Sequence, residues 1–228
     1  MSTIADNIQL VSSRIQAATA AAGRSENSVQ LLAVSKTKLA QDLREAYAAG
    51  LRDFGENYLQ EALGKQLELA DLPLIWHFIG PIQSNKTRAI AEHFDWVHSV
   101  DRLKIAQRLS EQRPAELPPL NICIQVNVSG EASKSGCTPA DLPALAEAIS
   151  TLPRLKLRGL MAIPEPTEDR AEQDAAFAAV QRLQASLNLP LDTLSMGMSH
   201  DLESAIAQGA TWVRIGTALF GARDYGQQ

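Results

Sequence analysis

The sequence predicts an α/β protein built as a single (β/α)8 TIM barrel with an extra N-terminal helix. Eight strand-like apolar runs alternate with helical patterns along 228 residues, and α/β barrels of about 200–250 residues commonly form one domain. Several runs are continuous and rich in branched residues, as parallel strands covered on both faces require. No GxGxxG follows the first run, which disfavours an open doubly wound sheet.

The first segment reads as a helix. Ile4, Ile8, Val11 and Ile15 recur at helical spacing, Thr3 and Asp6 suit a capping box, and Gly23 is a stop. The expected strands cover residues 29–35, 53–55, 74–80, 96–100, 121–128, 157–163, 193–197 and 212–216. Leu39, Leu43, Ala46 and Tyr47 mark one helical face ending at Gly50; further helices start near Asn57, Ser84, Arg102, Pro139, Arg170 and Ser199. No linker or internal repeat divides the chain, so residues 1–228 read as one domain.

A net charge of -5 with interspersed basic residues provides no basic face for nucleic acid. No apolar run of about 18 residues is present to span a bilayer, and the N-terminus lacks a signal peptide's apolar region. The expected compartment is the cytoplasm. Cys123 and Cys137 have neither zinc nor disulfide-framework spacing, and no histidine pair has metal-ligand spacing.

Lys36 closes the first apolar run, on the same side as Leu32 and Val34. If those two fill the barrel, Lys36 points into its mouth. It either snorkels to water or acts as a nucleophilic amine. Lys38 is a loop residue with an anion within possible reach. Near the C-terminus, Gly197 permits close backbone approach and Ser199 is a candidate N-cap. Gly216 and Thr217 end the last strand. Loops after strands seven and eight frequently form the phosphate site of such barrels. Asp201 and Glu203 sit awkwardly beside an anion there. Arg214, on an apolar strand, needs an acceptor, which an interior carboxylate would supply. Asn57, His77 and His98 are each structural hydrogen-bonders or ligand contacts; His93 suits a helix surface. The polar loop 129–136 is a surface loop or a flap carrying Lys134 to a ligand.

Ala33-Val34-Ser35-Lys36-Thr37, Phe54-Gly55-Glu56-Asn57-Tyr58, His77-Phe78-Ile79-Gly80, Gln83-Ser84-Asn85-Lys86, Ser133-Lys134-Ser135-Gly136, Gly159-Leu160-Met161, Gly197-Met198-Ser199, Arg214-Ile215-Gly216-Thr217 and Phe220-Gly221 run in order over nearly the whole chain. Together they resemble the pyridoxal phosphate homeostasis protein family, which is similar to the N-terminal barrel of alanine racemase. The resemblance implies a fold-type III barrel with Lys36 holding pyridoxal 5′-phosphate as a Schiff base. It also implies cofactor-binding roles for Ser199, Gly216 and Thr217 at the phosphate and Arg214 at the pyridine nitrogen, with Asn57, Met198 and His77 around the cofactor. His200 and Pro81 are variable positions in these motifs.

A cofactor carrier without robust catalysis is then expected, acting in vitamin B6 homeostasis; the alternative is a racemase-like enzyme. The chain ends soon after its eighth unit, where a racemase continues into a second domain. Tyr47 looks like helix core, Tyr225 is in the tail, and Tyr58 lies near the mouth without a known base role. A Schiff-base aldolase would explain Lys36 but not Arg214. The expected partners are the cofactor and apo-enzymes that receive it, with the barrel a monomer and neither nucleic acid nor membrane involved.

Overall fold

A computed structural model describes residues 1–132 and 135–222 of the chain. Eight parallel strands close into a barrel in sequence order. They are β1 (Gln30–Val34), β2 (Asp53–Glu56), β3 (Ile75–Phe78), β4 (Trp96–Val100), β5 (Leu120–Gln125), β6 (Leu155–Met161), β7 (Thr193–Ser195) and β8 (Trp212–Ile215). Each expected strand is present. Six of the eight end before their apolar runs do, because the last residues of those runs leave the ladder to form the loops above it; β4 ends as expected and β2 runs one residue further.

Helix α1 (Ile4–Ala21) precedes the barrel. Thr3 and Asp6 form the capping box, and Gly23 follows at φ +66°. The outer layer comprises α2 (Ala40–Ala48), α3 (Leu59–Glu68), α4 (Thr87–His93), α5 (Leu103–Gln112), α6 (Leu142–Ser150), α7 (Arg170–Ala185), α8 (Leu202–Ala207) and α9 (Thr217–Phe220). In α2, Leu43 and Ala46 are buried, whereas Leu39 precedes the helix and is exposed. Tyr47 is only half-buried, with the Arg52 guanidinium 3.9 Å above its ring. Neither extends the buried face the spacing suggested.

Alternating strand residues build two separate cores. Ala33, Phe54, Phe78, Val97, Ile122, Leu160 and Val213 pack in the layer between strands and helices. Leu32, Trp96, Cys123, Met161 and Trp212, one residue away along their strands, pack together inside the barrel, joined by Ile79 and Val34. The period-2 side-chain alternation of a strand produces this division. It gives the strands an apolar outer face and an inner face on which apolar residues share the barrel with a few polar ones, and it puts Lys36 in line with the interior residues. A Cβ on Gly159 would lie 1.7 Å from the Thr193 carbonyl oxygen, so only glycine allows β6 and β7 to pair there.

Candidate functional site

A cavity of about 320 Å3 opens at the carboxyl end of the strands, within the common size range of small-molecule sites. Lys36, Asn57, Met198, Ser199, Arg214, Gly216 and Thr217 all line it. These are seven of the eight positions singled out in the sequence.

The eighth, His77, does not line this cavity. It is fully buried inside the barrel, hydrogen-bonded to Asp53 and His98. Strand parity explains the difference: Ile79, two residues further along, occupies the next layer up and lines the cavity instead. Val34, Ile163 and His200 complete the wall. Ile163 and His200 sit in loops; Ile163 lies two residues beyond the interior Met161 and so keeps its parity, whereas nothing in the sequence aims His200 inward.

The backbone on both sides of Lys36 is pinned. Before it, the fully buried Ser35 donates its hydroxyl to Glu56 Oε1 at 2.9 Å, and its carbonyl accepts from Lys65 Nζ at 2.7 Å. After it, Thr37 adopts φ +66° and its N–H donates to Glu61 Oε1 at 2.5 Å. A left-handed conformation costs a non-glycine residue about 1–3 kcal/mol, which this charge-assisted hydrogen bond offsets. Lys65 Nζ also reaches Glu56 Oε1 and Glu61 Oε1, each at 2.7 Å. Burial pushes the Glu56 carboxyl above its usual pKa range, while the Lys65 cation and two hydrogen bonds pull it back. The i, i+4 spacing of Glu61 and Lys65 was visible in the sequence; their meeting with Glu56 was not.

The loops after β7 and β8 form the other side of the cavity. Gly197 has φ +101°, and an added Cβ would meet that of Ala205 at 2.6 Å. Its need for glycine is therefore set by conformation and by α8. Ser199 is not an N-cap: α8 begins at Leu202, and Asp201 holds the cap position. Asp201 turns back to accept the Met198 N–H at 2.6 Å. Arg14 of α1 donates to both Glu203 oxygens at 2.9 Å and to the Ser199 carbonyl at 3.0 Å. The two acidic residues thus satisfy the loop and the helix rather than oppose a bound anion.

Arg214 is 5% exposed. Its partners are Ser195 Oγ at 2.8 Å and the Ala162 carbonyl at 3.0 Å, not the interior carboxylate expected. Burial lowers its pKa to about 10, with Asp201 opposing the shift, so the guanidinium stays charged at neutral pH. Asn57 Oδ1 is buried without a hydrogen-bond partner among the described residues. A buried acceptor left this way is costly, and a ligand hydroxyl would satisfy it.

Lys38 donates to the carbonyls of Gly221 and Ala222 at 3.2 and 2.9 Å, tying the loop after β1 to the segment after α9. Lys134 lies outside the described residues, as do Ser133 and Tyr225. Tyr58 is half exposed and does not line the cavity. Burial pushes the Cys123 and Cys137 thiols up to about 12 and about 11, so neither is a nucleophile. No metal-binding group of histidine, cysteine or carboxylate side chains occurs among the described residues. The cavity thus combines one amine, two hydroxyls, a fixed cation and an orphaned acceptor, suiting an anionic carbonyl compound that carries a hydroxyl.

Comparison with known proteins supplies the context. The model of the alanine racemase N-terminal domain matches residues 3–224. The chain is 78% identical over 226 residues to the pyridoxal phosphate homeostasis protein of Pseudomonas aeruginosa, covering 99% of this chain and 98% of that one. It is 55% identical over 234 residues to the protein of that name from Escherichia coli K12, covering both chains fully. PipY of Synechococcus elongatus, solved with PLP bound, superposes with a TM-score of 0.81 at 46% identity, covering 91% of this chain and all of that one. Alanine racemase from Corynebacterium glutamicum shares the fold at TM-score 0.67 and 18% identity, over 96% of this chain and 63% of that one. The chain belongs to the alanine racemase N-terminal domain family, among its pyridoxal phosphate homeostasis proteins.

Proposed function

We propose that this protein binds pyridoxal 5′-phosphate at the cavity of Lys36 and acts in intracellular vitamin B6 homeostasis, buffering or delivering the cofactor without robust catalysis. The observation that carries this reading is the convergence of Lys36, Ser199, Thr217, Arg214 and the unsatisfied Asn57 oxygen on one cavity. The residues fit the group: its aldehyde suits the amine, its phosphate the hydroxyls and loop amides, its phenolic hydroxyl Asn57, and its ring nitrogen Arg214. When bound, the cofactor supplies an aldehyde that Lys36 holds as a Schiff base. A fixed guanidinium facing the ring nitrogen disfavours a second positive charge there. That weakens the ring as an electron sink for demanding carbanion chemistry, but alanine racemases also place an arginine there, so Arg214 by itself does not separate carrier from racemase. Relatives that share 78% and 55% of the sequence carry a homeostasis name rather than an enzyme's.

The proposal extends to a monomeric, single-domain cytoplasmic protein, residues 1–228, that hands cofactor to apo-enzymes. Borohydride treatment of the yellow protein should fix a phosphopyridoxyl mass on the peptide containing Lys36, and Lys36→Ala should lose both label and colour. A label elsewhere overturns the site. Efficient racemisation of any amino acid overturns the carrier in favour of a racemase. Transfer to an apo-enzyme faster than release into solution supports delivery; equal rates support buffering alone.

A further inference from the structure

Behind Arg214 a file of polar side chains runs through the apolar barrel interior. Arg214 Nη1 donates to Ser195 Oγ at 2.8 Å. Ser195 Oγ contacts His98 Nδ1 at 2.7 Å, His98 Nε2 contacts His77 Nδ1 at 2.8 Å, and His77 Nε2 contacts Asp53 Oδ1 at 2.8 Å. Five strands contribute: β8, β7, β4, β3 and β2. The file starts at the cavity wall and ends at Asp53, which opens β2 at the opposite end of the barrel and is 21% exposed.

The chemistry of the two ends dictates every proton in between. A guanidinium only donates, so Ser195 Oγ accepts from Arg214. The Ser195 hydroxyl then gives its own proton to His98 Nδ1, its other partner among the described residues. His98 carries its proton on Nε2 and donates to His77 Nδ1; His77 does the same towards Asp53. The opposite polarity would set a bare His77 nitrogen against a carboxylate at 2.8 Å. With neutral rings and an ionised Asp53, one direction satisfies all members.

We propose that Ser195, His98 and His77 are positioning residues that form a one-way hydrogen-bond chain, coupling the Arg214 cation at the cavity to the Asp53 carboxylate at the far end of the barrel.

The surroundings suit this role. Trp96 stacks on His77 at 5.4 Å between ring centroids, and Trp212 meets it edge-on at 4.9 Å. His98 faces His77, Ser195, Trp96 and the Arg214 charge. Asp95 adds a second carboxylate near His77, and Asp201 is the carboxylate acting on Arg214. Burial lowers the pKa of both rings, keeping them neutral as the chain needs. A buried cation with no directly paired carboxylate among the described residues gains a polarised path to one. The chain holds the guanidinium in orientation, and so sets the charge presented to the ring nitrogen; this last consequence rests on the binding reading above.

Two measurements on the cofactor-free, full-length protein decide the chain independently of that reading. Nitrogen NMR of labelled histidine at pH 7.5 should show both His77 and His98 neutral with the proton on Nε2. A charged ring, or a proton on Nδ1 in either, overturns the proposal. Asp53→Asn should retain the fold by circular dichroism yet move the His98 nitrogen shifts, one ring beyond its contact; unmoved shifts overturn it. In the loaded protein, Ser195→Ala should weaken pyridoxal 5′-phosphate binding on the order of tenfold through loss of a hydrogen bond to a charged group, with Ser195→Thr restoring it. Ser195→Ala binding as tightly as wild type refutes the positioning role. Wild-type protein that binds no cofactor refutes the functional reading alone, because the histidine measurements still stand.

Discussion

Replacing Lys65 with methionine removes a cation that is 5% exposed and makes three hydrogen bonds of 2.7 Å. Among the described residues, the fully buried Glu56 carboxylate then keeps only the Ser35 hydroxyl, and its Oε2 already lacks a partner. Removing one member of a buried ion pair typically costs about 3–5 kcal/mol. With a urea slope of about 2 kcal/mol/M, the midpoint should fall by about 1.5–2.5 M at pH 7.5. Burial already raises the Glu56 pKa, and the missing cation raises it further. The penalty of the charged carboxylate is therefore full above that raised value and shrinks as acid protonates it. The double variant Lys65→Met/Glu56→Gln should recover about 1–2 kcal/mol, within the usual range of coupling between contacting residues. Urea unfolding followed by circular dichroism at pH 7.5 and 5.5 measures all three effects. A loss below about 1 kcal/mol at pH 7.5, additive single variants, or a penalty that grows on acidification would refute the reasoning.

Gly159→Ala should cost about 3 kcal/mol or more, because its Cβ would lie 1.7 Å from the Thr193 oxygen at the β6–β7 pair; thermal unfolding reads this directly. Arg14→Met should cost only about 1 kcal/mol, as expected of a half-exposed ion pair. It should nevertheless weaken pyridoxal 5′-phosphate binding several-fold in an absorbance titration, since the Ser199 carbonyl loses its tie to α1. Stability should also fall on acidification below pH 6.5. There the unfolded chain protonates His77 and His98 while the folded rings, with lowered pKa values, do not. Each ring contributes up to about 1.4 kcal/mol per pH unit. The variant His98→Gln should show a shallower loss between pH 6.5 and 5 in urea unfolding, and an unchanged slope would count against neutral buried rings.

Strand number, order and the inward face of β1 were legible because parity and branched apolar runs are local properties. Asp201 and Glu203 were read as unfavourable for an anion because their charge is local too. What satisfies them, the Arg14 guanidinium on Glu203 and the Met198 N–H on Asp201, depends on α1 packing beside α8 and on a loop conformation set by Gly197. Ser199 was misread as a cap for a similar reason: serine suits the position, but Asp201 makes the turn. His77 was placed around the cofactor by the family resemblance, while its own position near a strand end also suited a structural hydrogen-bonder. Two residues of strand parity place it one layer below Ile79, which lines the cavity, while His77 is buried inside the barrel.

From sequence alone, then, come the barrel, the placement of Lys36 above Leu32 and Val34, and the glycine-rich loops opposite it. All follow from side-chain period and turn chemistry within short segments. Only the closed tertiary structure decided which distant charges meet. Glu56 finds Lys65, Arg14 finds Glu203, and Arg214 reaches Asp53 through Ser195, His98 and His77. Such contacts depend on barrel closure and register, which bring side chains from different strands and helices within about 3 Å of one another, and no local pattern encodes that distance.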